Sequence, residues 1–596
     1  MATSQWIRDV SGGSFTMNGT SKLILGNDES IPSPSSGRGV VVPGSNFPGG
    51  FTTMTISPTS TIEYDGDNTI TQTIYNTPTY GNLILTNSSG SGTANRITTG
   101  TVTISGTTTV KSNVTLTPGA GITTNGAFDV NSGATMVCAT NVVSGTGSFN
   151  LKSGATISLG SNQGITSSGG TGNITTTTRS FSTGANYIYL STGSTNTGNG
   201  LPTTVNDLTI SNTSGVTLFN AASTYTVNGT LRLTTGSFNI NGNTLAVNTL
   251  VRSSGSLRGS ATSSLTINGT NAPVFLTAGG RIIKNFTLGT GASATLLTDM
   301  EIPGGSSYGT VTVGSGATLT TNSRLILRST ATGSARVAEI PVDGSGNALG
   351  NISGNVQMER YISARRAWRF LSVTTTGTQT INQAWQEGQA ANVTSPSGYG
   401  IQMTGPNFPN GFDLYSAQPS IKTFVPATDT WAAVTSTNVP FAANTAYMTF
   451  IRGDRTVNAF GQAATSTILR SRGSLIMGNR SPQTVNANQF AAVNNPYASA
   501  IDFRNVSKTS VDDKFYVWDP NLGTLGGYQT FIKNGSGDYE VVVGGGSYGS
   551  AGTICNEIQN GQAFMVFATG SSGTITLQEN DKSTGTAPCF KSSKRQ

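Results

Sequence analysis

From about residue 13 to 340 the chain alternates Val, Ile, Leu or Phe with Thr, Ser or Asn in short segments, each closed by a turn that holds Gly or Asn. Period-two alternation over so few residues predicts short strands with one buried face. The phrase FDVNSGATMV (residues 128 to 137) returns as FNLKSGATIS (149 to 158), 21 residues on, and again as VTVGSGATLT (311 to 320). A longer unit recurs as YGNLILTNSSG around Leu83, VNDLTISNTSG around Leu208 and IKNFTLGTGAS around Phe286. Repetition near 20 residues predicts stacked coils, because one such coil cannot bury its own apolar face and lays it on its neighbours. The predicted fold is all-β: after a lead-in or cap over residues 1–12, a right-handed parallel β-helix, or β-solenoid, occupies residues 13–345. Inward positions take medium β-branched side chains and corners take Gly or Asn, which reach positive φ. About 330 residues at roughly 20–25 per coil make about 13–16 coils. A row of small β-sandwiches is the alternative that the same turn spacing encodes.

The pattern changes near residue 350. Four of the five tryptophans, Trp368, Trp385, Trp431 and Trp518, lie beyond it, and charged residues number 27 in the first 350 positions against 32 in the shorter remainder. YISARRAWRFLSV, TAYMTFIRG, DKFYVWDP and GQAFMVFATG read as strands with aromatic anchors, and INQAWQEGQAAN as a short helical or irregular connection. Residues 346–596 are predicted to form a second, β-sandwich-like globular module.

Composition narrows the chemistry. The 596 residues include 76 Gly, are 35% hydrophobic and only 10% charged, so a compact globule of ordinary core is not expected over the repeats. No histidine is present. That removes Ser-His and Cys-His nucleophiles, histidine metal ligands and the commonest general base. The net charge of +7 is spread thinly, without a basic run suited to a phosphate backbone, so nucleic acid is not an expected partner. Lys591, Lys594 and Arg595 read as a frayed end. No apolar run is long enough to span a membrane. Cys138, Cys555 and Cys589 are too few for a disulfide scaffold or zinc cluster, and a Cys555–Cys589 bridge is one option in an oxidising compartment.

The two halves together resemble the large repeat-rich surface and secreted proteins of gliding Bacteroidota that leave by the type IX secretion route. In the first half the resemblance rests on SFTMNGTSKLILGN, FTTMTISPTSTIEYDGDNTITQTI, TYGNLILTN and LPTTVNDLTISNTSGVTL. In the second it rests on GNVQMERYISARRAWRFLSV, INQAWQEGQ, YMTFIRGDRT, NNPYASAIDF, FYVWDPNLG and IQNGQAFMVF, the more specific set. The resemblance implies an extracellular or cell-surface location, an adhesin or surface-coat role, and no catalytic site in these modules. A signal peptide and a C-terminal sorting domain of that family are not recognised, so a mature or trimmed form is expected.

Candidate sites are few, and no residue is assigned a catalytic or cofactor-binding role. Glu63, Asp65 and Asp67 offer oxygens to calcium, although Asp-Gly and Asp-Asn serve equally as turns. Asp512, Asp513, Asp519 and Asp538 form a second sparse acidic set. Arg452-Gly453-Asp454 spells an integrin-binding tripeptide, for which local turn capping is the preferred reading. Gly305–Gly309 and Gly545–Gly549 fit G-x-S-x-G but cannot complete the usual triad without histidine. Arg360, Arg365, Arg366 and Arg369 gather around Tyr361 and Trp368; they suit an acidic polysaccharide, with capping of the open solenoid end as the preferred use. Trp385, Tyr399 and Trp431 are candidate glycan platforms.

The expected function is a non-enzymatic structural or adhesive protein whose solenoid is a rigid stalk of a surface layer, fibre or adhesin. The alternatives are a carbohydrate-binding module and a polysaccharide-degrading β-helix enzyme, which would need clustered carboxylates. Head-to-tail self-association into filaments through the polar lead-in near Trp6 and Ile7 is one expectation, with a monomeric stalk segment as its alternative and extracellular polysaccharide as the other partner class.

Overall fold

The alternating segments form strands, and the buried positions are those the pattern turns inward. In this computed structural model residues 13–26, 45–406, 410–442 and 444–583 are described; the lead-in of residues 1–12 and Cys589 lie outside them. The chain is almost entirely β, with a parallel β-solenoid of about 13 turns followed by antiparallel sheets. The predicted solenoid is thus the observed one, at the low end of the predicted number of coils.

Two compact units divide the chain, Met1–Arg258 and Gly259–Gln596. In the first, seven parallel strands stack from Lys22–Leu25 to Thr178–Phe181. The 21-residue phrase is a register: Phe128 pairs with Phe149, and Thr135 with Thr156. Phe128, Val130, Phe149 and Leu151 are all buried, while the alternating positions face outward. The two phenylalanine rings stack at 5.7 Å, so one column of the core is a continuous pile of side chains. The corner also repeats. Gly133 and Gly154 of the SGAT phrases sit at φ 75° and 74°, and Asn113 takes the equivalent corner one turn earlier at φ 59°. Their backbones form a ladder of their own, Asn113 N–H donating to Gly133 O at 3.1 Å and Gly133 N–H to Gly154 O at 2.9 Å. A β-branched residue could not hold that left-handed corner without strain, which is why Gly and Asn recur there.

The second unit is also built from parallel stacks. A turn there contributes three strands, Asn285–Leu288, Ser293–Leu296 and Met300–Ile302, and each pairs in parallel with strands of neighbouring turns. The change to antiparallel pairing happens within one strand. Val356–Ile362 pairs in parallel with Leu325–Leu327 on one edge and antiparallel with Thr467–Leu475 on the other. The predicted boundary at residue 346 therefore falls slightly ahead of the switch, and Asn351–Ser353 still belongs to a parallel stack.

That switch answers the problem of an open solenoid end, whose backbone groups would otherwise be unpaired. Val337 N–H donates to Ala498 O at 2.8 Å, and Ile340 N–H to Glu579 Oε2 at 2.9 Å. The other oxygen of Glu579 accepts from Gly478 N–H at 2.9 Å, and Lys582 balances its charge at 2.6 Å in a fully buried pair. Beyond the cap, a core of Phe503, Phe515, Phe531, Tyr539 and Phe564 holds the last sheets together, with ring centroids about 5 Å apart. The predicted connection INQAWQEGQAAN contains the α-helix Ile381–Trp385, opened by a capping box between Thr380 and Gln383.

Candidate functional site

The four clustered arginines come from two strands of different sheets and from the connection between them. Val356–Ile362 carries Arg360 and Tyr361; Ala367–Leu371 carries Trp368 and Arg369, with Arg365 and Arg366 in the connection between them. Arg360, Tyr361 and Arg369 line a cavity of about 300 Å³ whose other walls include Trp518, Asn521 and Gln559, with the hairpin of Ser329–Thr330 and Gly333–Ser334 at its rim.

What the arginines touch is uncharged. Arg360 Nη1 donates to Asn560 O at 2.9 Å. Arg365 donates to the carbonyls of Pro520 and Gly523, at 2.5 and 2.7 Å, and Arg366 to that of Gln462 at 3.0 Å. Arg369, only 6% exposed, reaches just the carbonyls of Trp368 and Arg365, at 3.2 and 3.4 Å. Among the described residues none of the four forms an ion pair. The nearby carboxylate of Asp519 is engaged elsewhere, accepting Ser547 N–H at 2.6 Å, Ser547 Oγ at 2.7 Å and Asn521 N–H at 2.9 Å.

Electrostatics follow from that geometry. Burial pulls the Arg360 guanidinium down to about 10. Burial does the same to Arg369, also to about 10, helped by repulsion from Arg365 and Arg360 and only partly offset by Asp519. Arg360 Nε and Trp518 Nε1 are buried within the protein without an acceptor, the latter packed against Gly526. Arg360 and Arg369, neither of them ion-paired, make the cavity wall positive. Its chemistry is that of an anion site. The cation over the Trp368 ring is Lys422, at 5.2 Å, and backbone groups at the solenoid edge are met by Glu579 and Ala498.

The three proposed glycan platforms are not one surface. Trp385 is 3% exposed, packed edge-on against Phe441 and Tyr447, and so is a core residue. Tyr399 is half-buried with the Arg470 guanidinium over its ring at 4.2 Å. Trp431 is half-buried against Phe370 and Phe424.

The acidic stretch is met by protein cations and hydroxyls. Glu63 is buried and bridges Lys22 and Lys111, which sit on other turns. Burial alone would raise its carboxyl, but the hydrogen bond and charge of Lys22 outweigh that and hold it below the usual range. Asp65 accepts from Thr86 Oγ1 at 2.6 Å, and Asp67 from Thr69 N–H at 2.8 Å. The fully buried Arg96 donates to the carbonyls of Gly66 and Thr86. Among the described residues no group of three or more acidic or cysteine side chains is arranged to hold a metal.

Arg452 and Asp454 are 8% and 3% exposed, so the tripeptide is not displayed. Asp454 caps its own turn through Thr456 N–H and Thr465 Oγ1, both at 3.0 Å. Ser307 accepts from Lys284 at 3.0 Å and Ser547 clamps Asp519, so both G-x-S-x-G matches are turns. Cys138 is a buried free thiol, and Cys555 is disulfide-bonded. No described helix is long and apolar enough to cross a membrane.

Two features had no sequence forecast. One is the participation of Trp518, Asn521 and Gln559 in the arginine cavity. The other is the Arg455–Asp413 pair, completely buried at 3.1 Å, with Arg455 also reaching the carbonyls of Ile401 and Val393 at 2.9 Å. Its one signal was a second arginine directly after the tripeptide.

Comparison with family models, with curated proteins and with solved structures finds no match to the chain.

Proposed function

We propose that this chain is a non-enzymatic structural or adhesive protein of the cell surface or extracellular space, its β-solenoid serving as a rigid stalk of a surface layer, fibre or adhesin. The observation that carries this reading is how the solenoid spends its few charges. Glu63 links Lys22 and Lys111, Asp129 faces Lys152 at 3.5 Å, Asp299 holds Arg281 at 2.9 Å, and Glu301 holds Arg328 at 3.0 Å. Each of these carboxylates is paired with a lysine or arginine of another turn, which leaves it engaged in holding turns together and not free to serve as the acid or base of a β-helix hydrolase or lyase. The absence of histidine from the sequence agrees with it.

The resemblance to type IX-exported surface proteins of Bacteroidota supports the location. Self-association belongs to the same reading: a heterologous head-to-tail contact through the first dozen residues would extend the stalk into a filament. Those residues, Trp6 and Ile7 included, lie outside the described part of the chain. A second reading, carbohydrate binding without catalysis, is favoured by the arginine-lined cavity.

Two measurements test the primary reading together. Immunogold labelling of intact cells should decorate the surface, and purified protein should release nothing from pectin, alginate or glycosaminoglycans. Reducing ends or unsaturated products that disappear on a single Asp substitution would make it an enzyme.

A further inference from the structure

The cavity beside the solenoid cap is lined by two arginines without a paired carboxylate. These two, Arg360 and Arg369, meet only carbonyl and carboxamide oxygens. A ligand that answers this uncompensated charge carries negative charge of its own. Guanidinium groups pair with planar oxyanions through two parallel hydrogen bonds, which a carboxylate accepts well. At about 300 Å³ the space is at the lower end for a small-molecule site and exceeds what a lone inorganic anion needs. The remaining walls bring hydroxyl and carboxamide groups from Ser363 and Asn521 and aromatic surface from Tyr361 and Trp518. Hydroxyl partners beside aromatic surface suit a ring whose edges are polar and whose faces are C–H.

We propose that this cavity binds one uronic acid unit of an acidic polysaccharide, its carboxylate held by Arg360 and Arg369 and its ring against Trp518. The assignment rests on the carbohydrate-binding reading and narrows it to carboxylated sugars. A carboxylate beside Arg369 would also offset the repulsion it meets from Arg365.

Isothermal titration of the full chain with trigalacturonate, its methyl ester, neutral galactotriose and sodium sulfate tests this. Trigalacturonate should bind, and esterification should weaken it at least tenfold. Arg369→Gln should cost a similar factor with the melting temperature monitored in parallel. Because that arginine is buried and its loss can affect folding, Ala331→Trp serves as a second variant: it sits on the exposed rim and fills the cavity from outside. Equal affinity for acid and ester, or trigalacturonate binding untouched by Ala331→Trp, overturns the assignment. Sulfate binding as tightly as the trisaccharide reduces the cavity to a simple anion hole and overturns it too. Binding of galactotriose alone leaves carbohydrate binding standing and removes the acidic sugar; no binding of any probe removes both.

Discussion

The parallel turns and the antiparallel sheets that follow them solve burial in opposite ways. In the turns, one position performs one task many times: Leu83, Thr108, Phe128 and Phe149 form successive layers of a single column. In the antiparallel part almost every buried polar residue is singular, as with Glu579 under Ile340 and Gly478, or Arg455 against Asp413. A repeated core tolerates small, nearly uncharged residues because neighbouring turns supply both apolar contact and a hydrogen-bond ladder. A singular core is built from large aromatics and paired charges, and it can leave a cavity.

The contrast predicts where damage is greatest. Asp413→Ala strands the buried Arg455 guanidinium and should cost about 3–5 kcal/mol in denaturant unfolding, melting the antiparallel part first. Leu83→Ala, in the repeated column, should cost about 2–5 kcal/mol, at the low end if neighbouring turns close over the gap. If Leu83→Ala proved the more damaging and unfolded the whole chain cooperatively, the picture of locally supported turns would fail.

A third effect depends on pH and belongs to the singular part alone. Burial pushes the Asp581 carboxyl up to about 7, with Asp502 adding to the rise and the hydrogen bond from Gln578 and the charge of Lys508 opposing it. The folded chain then holds that proton more tightly than the unfolded chain, so stability falls as pH climbs from about 4 to about 7. Asp581→Asn should remove the fall and stabilise the protein at pH 8 by on the order of 2–4 kcal/mol, read from melts across that range. The smallest effect sharpens the repeat itself: Gly154→Ala forces a side chain into φ 74° and should cost about 1–2 kcal/mol, whereas Asn113→Gly at the equivalent corner should be nearly neutral. Paired urea melts of the two variants check this.

The same contrast explains which features are legible in the sequence. The stack was legible because its register is written as repetition, Phe128 on Phe149 and SGAT on SGAT. Outward and inward faces followed from alternation alone. The arginine cluster was visible as a local density of charge in a nearly uncharged chain, but its surroundings were not. Arg360 meets Asn560 at a separation of 200 residues, and Arg365 meets Pro520 at 155. Nothing periodic links such pairs, so no spacing announces them. Trp385 misled for a related reason: a tryptophan in a polar stretch reads as exposed, while here a five-residue helix turns it into the core.

The parallel stack is the frame on which the other claims depend, and spin-label distances test it most directly. Ile24, Glu63, Ile84, Thr109, Asp129, Asn150 and Ser180 are successive partners along one sheet, and Ile24 and Ser180 are both exposed. With Cys138 replaced by Ala, nitroxides at Ile24 and Ser180 should lie about 29 Å apart, and the pair Ile24 and Asp129 about 19 Å, since each step adds about 4.8 Å. Two narrow distributions in that proportion are the predicted result; distances that do not scale with the number of turns between the labels would contradict the solenoid.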